Sequence, residues 1–78
     1  MSYEEKIKSF LGRYVNVDDL KNDDNIFEIG LVDSLFAVQL VSYIEEEFDI
    51  AITNQQLDLD NFKDINSIAA IIRVNLAV

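Results

Sequence analysis

The sequence contains no His and no Cys, which removes the commonest general base, the commonest zinc ligands and the thiolate nucleophile. What remains for chemistry is carboxylate and hydroxyl oxygen, and two stretches collect it. The first is the acidic run Asp18-Asp19-Leu20-Lys21-Asn22-Asp23-Asp24. Read as a calcium loop from Asp18, Asp19 or Asp23, it meets Leu20, Lys21 or Phe27 where oxygen ligands belong, and no Gly stands at the sixth position. A solvated acidic loop is the better reading. The second stretch is Gly30-Leu31-Val32-Asp33-Ser34-Leu35, which sets a hydroxyl directly after a carboxylate and just before a helical run.

The bland account of Asp33-Ser34 is a helix cap, and either residue suits that role. Neither completes a capping box, because the residues three positions later are Phe36 and Ala37. Carboxylates on so small a helical domain have little depth in which burial could move their pKa values, so the chain is not expected to be an enzyme by itself.

The elements that would position this hydroxyl follow from periodicity. Ser2 and Glu5 form a capping-box pattern, and Tyr3, Ile7, Phe10, Leu11 and Tyr14 then make one apolar stripe, predicting a first helix over 3–15. Residues 16–33 lose the period and read as a long loop pinned by Val17, Leu20, Ile26, Phe27, Ile29, Leu31 and Val32, with room for one helical turn over 17–21. Gly30 is placed to redirect the chain with positive φ. A second helix is predicted over 34–48, with Ala37, Leu40, Val41, Ile44 and Phe48 facing the core. Leu35, Phe36, Val38 and Ser42 fall partly outside that stripe and suggest a docking surface near the helix start. Thr53 and Gln56 repeat the capping-box pattern and predict a short third helix over 54–59. Asp64 caps a last helix over 65–76, with Ile65, Ile68, Ala69, Ile72 and Leu76 on its inner face. The expected fold is therefore all-α: a small antiparallel four-helix bundle of three main helices and a short one, as a single domain over 1–78.

Composition sets the partners. With 50% hydrophobic residues, 2 Gly and 0 Pro, the chain can build a helical core and does not read as disordered. Its net charge of −9 disfavours nucleic acid and anionic membranes, and residues 1–15 are net +1, leaving −10 for residues 16–78. A basic protein patch is the expected counterpart. No signal-like or membrane-length apolar run is present, so the expected location is the cytoplasm, and a monomer is expected.

The run Asn25-Ile26-Phe27-Glu28-Ile29-Gly30-Leu31-Val32-Asp33-Ser34-Leu35, followed by Val38-Gln39-Leu40-Val41 and Ile44-Glu45-Glu46-Glu47-Phe48-Asp49, closely resembles the acyl carrier protein family, and the similarity covers essentially the whole chain. The resemblance implies that Ser34 receives 4′-phosphopantetheine from coenzyme A through a separate, magnesium-dependent phosphopantetheinyl transferase, and that Asp33 assists that step. It implies a carrier of acyl, aminoacyl or extender-unit thioesters, whose thiol is supplied by the cofactor in a chain without Cys.

In that family the second helix meets loading and processing enzymes through their basic or apolar patches. The matching partner-binding residues here are Leu35, Phe36, Val38, Gln39, Ser42, Glu45 and Glu46. Phe36 and Gln39 replace residues that are commonly acidic in housekeeping fatty-acid carriers, which favours a dedicated pathway. The tail Leu57-Asp58-Leu59-Asp60-Asn61-Phe62-Lys63-Asp64-Ile65 resembles discrete carriers of amino acids or malonyl-type units in polyketide or nonribosomal assembly. Ala37, Leu40, Ile44, Ile52, Phe62 and Ile68 could line an acyl cleft, although a core role explains them as well. A rival reading keeps Ser34 as a mere cap in an acidic helical adaptor that binds a basic protein.

Overall fold

In the computed structural model, which describes residues 2–76, three α-helices and two single 3-10 turns carry the regular structure, and no strand occurs among those residues. The helices are α1 (Tyr3–Leu11), α2 (Ser34–Phe48) and α3 (Ile65–Leu76). Each starts where a side chain satisfies the N–H groups that a first helical turn leaves unpaired. At α1, Ser2 Oγ accepts from Glu5 N–H at 3.1 Å while Glu5 Oε1 accepts from Ser2 N–H at 3.5 Å, the reciprocal capping box read from the sequence. At α3, Asp64 Oδ1 accepts from Ser67 N–H at 2.7 Å, and Asp64 itself is buried.

Two predicted boundaries are corrected. α1 ends at Leu11 rather than near residue 15, because the chain tightens after Gly12: Arg13 and Tyr14 N–H donate to the carbonyls three residues back, at 3.1 and 3.0 Å. The short third helix is two separate turns, Asn54–Gln56 and Leu59–Asn61. Its Thr53–Gln56 capping box forms, but Leu57 leaves helical geometry and Asp58, extended, restarts the chain by accepting from Asp60 N–H at 2.9 Å. The all-α bundle thus has its three main helices among the described residues, with two 3-10 turns in place of the short one.

The core is made of fully enclosed aliphatics from all three helices, Ile7, Leu11, Leu40, Ile44, Ile65, Ile68 and Ile72, joined by Ile26 from the long loop. Each such burial contributes roughly 1.5–3 kcal/mol before ordering entropy is subtracted. Tyr14 and Leu76, predicted on the inner faces, are instead exposed. Tyr14 lies past the end of α1 and Leu76 is the last residue of α3, so neither is enclosed by the packed middle of its helix.

Aromatic rings fix the direction of α1 against α2. Tyr3 meets Phe48 edge-on with centroids 5.4 Å apart, whereas Phe10 stacks on Tyr43 at 4.0 Å and reaches Phe36 at 5.9 Å. The start of α1 therefore lies beside the end of α2, and the two run antiparallel. α1 packs most extensively on α3, and Arg73 of α3 closes that contact on Glu4 at 2.9 Å.

The connection from Gly12 to Asp33 is held by hydrogen bonds to distant elements, two of them between backbone groups. Ile26 N–H donates to Lys63 O at 2.7 Å, Asn66 N–H to Asn22 O at 3.0 Å, and Lys8 Nζ to Leu20 O at 2.8 Å. Leu20 and Ile26 are buried, as their role as loop anchors requires, and the turn at Asp18–Asp19 does not become a helix. No helix among the described residues is long and apolar enough to cross a membrane.

Candidate functional site

Ser34 is the first residue of α2, and its presentation begins at Ile26. Ile26 is fully buried, and its carbonyl accepts from both Leu31 and Val32 N–H, at 3.1 and 3.2 Å. The turn that permits this passes through Gly30 at φ +75, a backbone region open to glycine at no steric cost. A Cβ there would meet nothing within 4 Å, so the need for glycine is conformational rather than a matter of space. Asn25 supports the same turn by accepting from Phe27 and Glu28 N–H, each at 3.0 Å.

Of the two possible caps, the structure uses Asp33. Its Oδ1 accepts from Phe36 N–H at 3.0 Å, with Asp33 in extended geometry. Ser34 is thereby released from capping: it is exposed, and its hydroxyl makes no hydrogen bond among the described residues. The first turn of α2 holds no acidic residue, and the positive end of the helix dipole lies at Ser34. A phosphodiester on this oxygen would gain roughly 0.3–1 kcal/mol from that dipole at an exposed site. The residues present therefore fit a phosphate-linked prosthetic group: an exposed hydroxyl with no hydrogen bond among the described residues and a favourable dipole. Such a group would supply the thiol that the chain lacks.

Around Ser34 the predicted partner residues separate into three kinds. Leu35 and Val38 are 77% and 66% exposed, while Gln39, Ser42 and Glu46 are exposed polar neighbours on α2. Phe36 is half-buried and turned toward α1, where its ring lies 5.9 Å from Phe10, and it meets Tyr14, just past the end of α1, edge-on at 5.4 Å. Glu45 is half-buried, and its Oε2 accepts from Ile52 N–H at 2.9 Å, so this carboxylate ties α2 to the following loop. Nothing in the local sequence signals that bond, which joins residues seven apart across a helix end.

Beside α2 lies an apolar groove of about 340 Å³ between Ala37, Val38 and Val41 on one side and Leu57, Leu59 and Phe62 on the other. Of the suggested cleft residues, Ala37 and Phe62 line it, whereas Leu40, Ile44, Ile52 and Ile68 are core. Leu57 and Leu59 escaped the sequence reading as groove residues. Their alternation around Asp58 is the available signal, since a non-helical chain presents every second side chain to the same side.

Comparison with known proteins agrees with this geometry. The profile of the phosphopantetheine attachment site family matches residues 4–72. A D-alanyl carrier protein of Listeria monocytogenes is 33% identical over 64 residues, covering 80% of this chain and 82% of its own length. One of Lactococcus lactis is 29% identical over 69 residues, covering 86% and 87% respectively, and one of Lactobacillus acidophilus is 35% identical over 48 residues, covering 62% and 61%. The cofactor these matches indicate is covalently bound 4′-phosphopantetheine. An all-helical bundle presenting a free serine, matched over most of its length by that profile and those carriers, belongs to the phosphopantetheine-binding acyl carrier protein family.

Proposed function

We propose that Ser34 is the attachment residue and that residues 1–78 act as one carrier domain for a small aminoacyl thioester. The observation that carries this reading is the exposed, unbonded Ser34 hydroxyl at the start of α2, freed by Asp33's capping. In the modification, Ser34 Oγ bonds to the phosphorus of the pantetheine-side phosphate in coenzyme A, the P–O bond to the nucleotide half breaks, and the hydroxyl proton passes to a base. With no His in the chain, that base belongs to the phosphopantetheinyl transferase. Asp33 assists through Oδ2, since Oδ1 is occupied by Phe36 N–H.

Two features support an aminoacyl cargo. The relatives are named for D-alanyl, an aminoacyl group. The aliphatic interior is filled by fully buried side chains, and the apolar groove beside α2 is open, so a short polar cargo is left in solvent. Loading falls to an adenylating enzyme of a dedicated pathway, of the D-alanyl or nonribosomal type, whose basic or apolar patch meets Leu35, Val38, Gln39, Ser42 and Glu46. Rim charges of this kind set encounter rate and orientation more than affinity.

Incubation with coenzyme A and a broad-specificity transferase is expected to raise the mass by one phosphopantetheine, and Ser34→Ala to abolish the gain. A folded wild-type chain that stays unmodified under several such transferases removes the proposal. Given holo-protein, loading by an amino-acid-adenylating enzyme but not by a malonyl transferase is the expected result, and the reverse would replace the cargo assignment.

A further inference from the structure

Four aromatic rings meet on the face where α1 approaches the start of α2. Phe10 stacks on Tyr43 with centroids 4.0 Å apart and planes 13° from parallel, and it also touches Tyr14 at 5.3 Å and Phe36 at 5.9 Å. Tyr14 closes the set by meeting Phe36 edge-on at 5.4 Å and 74°. Tyr14 is in this place because the chain tightens after α1: Tyr14 and Val15 N–H both donate to Leu11 O, at 3.0 Å each.

The first turn of α2 has little else to hold it. Ser34 and Leu35 are exposed and Ala37 is small, so Phe36 is the only large side chain of that turn that reaches another element. The ring pairs are of the edge-to-face and tilted kinds that contribute beyond simple burial.

We propose that Tyr14, acting through Phe36, is a positioning residue for Ser34: it clamps the first turn of α2 onto the tightened segment that follows α1 and so narrows the range of positions Ser34 Oγ occupies when a transferase engages it. The inference rests on Ser34 being the attachment residue. Holding a nucleophile within a small volume raises the rate of the transfer step, whereas a looser turn spreads the hydroxyl over unproductive positions.

The test compares wild type, Tyr14→Ala and Tyr14→Phe in two measurements: transferase kinetics with coenzyme A, and amide hydrogen exchange of the apo-protein. Tyr14→Ala is expected to lower kcat by about three- to ten-fold with KM for the carrier unchanged, and to speed exchange at Phe36, whose N–H is bonded to Asp33, by a similar factor. Exchange in α3 should stay at the wild-type rate, and Tyr14→Phe, which keeps the ring, should behave as wild type in both measurements. A rise in KM with unchanged kcat and exchange would overturn the proposal by making Tyr14 a transferase contact. Unchanged kinetics would overturn it, as would faster exchange throughout α3, which would mark general loosening. If wild type accepts no group at Ser34, the functional reading falls first, and the exchange comparison still decides whether the ring clamps the turn.

Discussion

α2 and α3 are both rich in apolar residues, but they use them differently. α3 buries Ile65, Ile68, Ala69 and Ile72 and carries much of the packing against α1. α2 is longer, yet only Leu40 and Ile44 are fully enclosed, and Leu35 and Val38 stand in solvent beside an apolar groove. One helix is committed to stability, while the other gives up burial to display a surface toward the end that carries Ser34. In so small a chain the two tasks are assigned to separate helices, since a domain of this length buries too little surface to spare any from its main packing face.

The contrast is most exposed to test by truncation on each side. Ile68→Ala should cost about 2–5 kcal/mol in urea unfolding, because a fully enclosed branched side chain leaves a cavity. Val38→Ala should stay within roughly 0.5 kcal/mol, so a comparable loss at both sites would dissolve the distinction.

The caps carry the next largest effect. Asp64→Ala removes a buried acceptor and should cost about 1–2 kcal/mol, read as a lower Tm. At the other end of α2, Asp49 occupies the left-handed region at φ 53 while its N–H donates to Glu45 O. Asp49→Gly should therefore raise stability by about 0.5–1 kcal/mol, and a loss there would show that the carboxylate has a structural role.

Smallest is the surface pair that joins α1 to α3. The Glu4 carboxyl is held below the ordinary value of 4.5, first by a backbone hydrogen bond and then by the Arg73 guanidinium. A depressed carboxyl contributes stability that is fully present above the unfolded value and is lost as pH falls below about 4.5 through the lower folded value. Arg73→Ala should raise the Glu4 pKa, followed by NMR titration, and cost less than about 1 kcal/mol, an amount that shrinks further in high salt.

These differences also explain which features were legible in the sequence. The extents of α2 and α3, the capping boxes at Ser2 and Thr53, the cap at Asp64 and the positive φ of Gly30 all follow from local chemistry, in which a side chain acts on backbone a few residues away. Periodicity failed where it meets an element's end: it placed Tyr14 and Leu76 inside and carried α1 past Gly12, although a stripe cannot show where its neighbours stop. The Asn54–Leu59 stretch misled because a capping box marks a start and says nothing about length.

At the candidate site, the serine, its aspartate and the exposed Leu35 and Val38 were readable. The inward turn of Phe36 and the bond from Ile52 N–H to Glu45 were not, since both depend on contacts between segments that only the fold brings together. Residue type indicated what could happen at Ser34, while the tertiary arrangement determined which neighbours are free to take part.

The backbone bonds from Ile26 to Lys63 and from Asn66 to Asn22 have one more consequence. They tie the segment leading into α2 to the start of α3, so two stretches some forty residues apart along the chain are joined directly through their backbones.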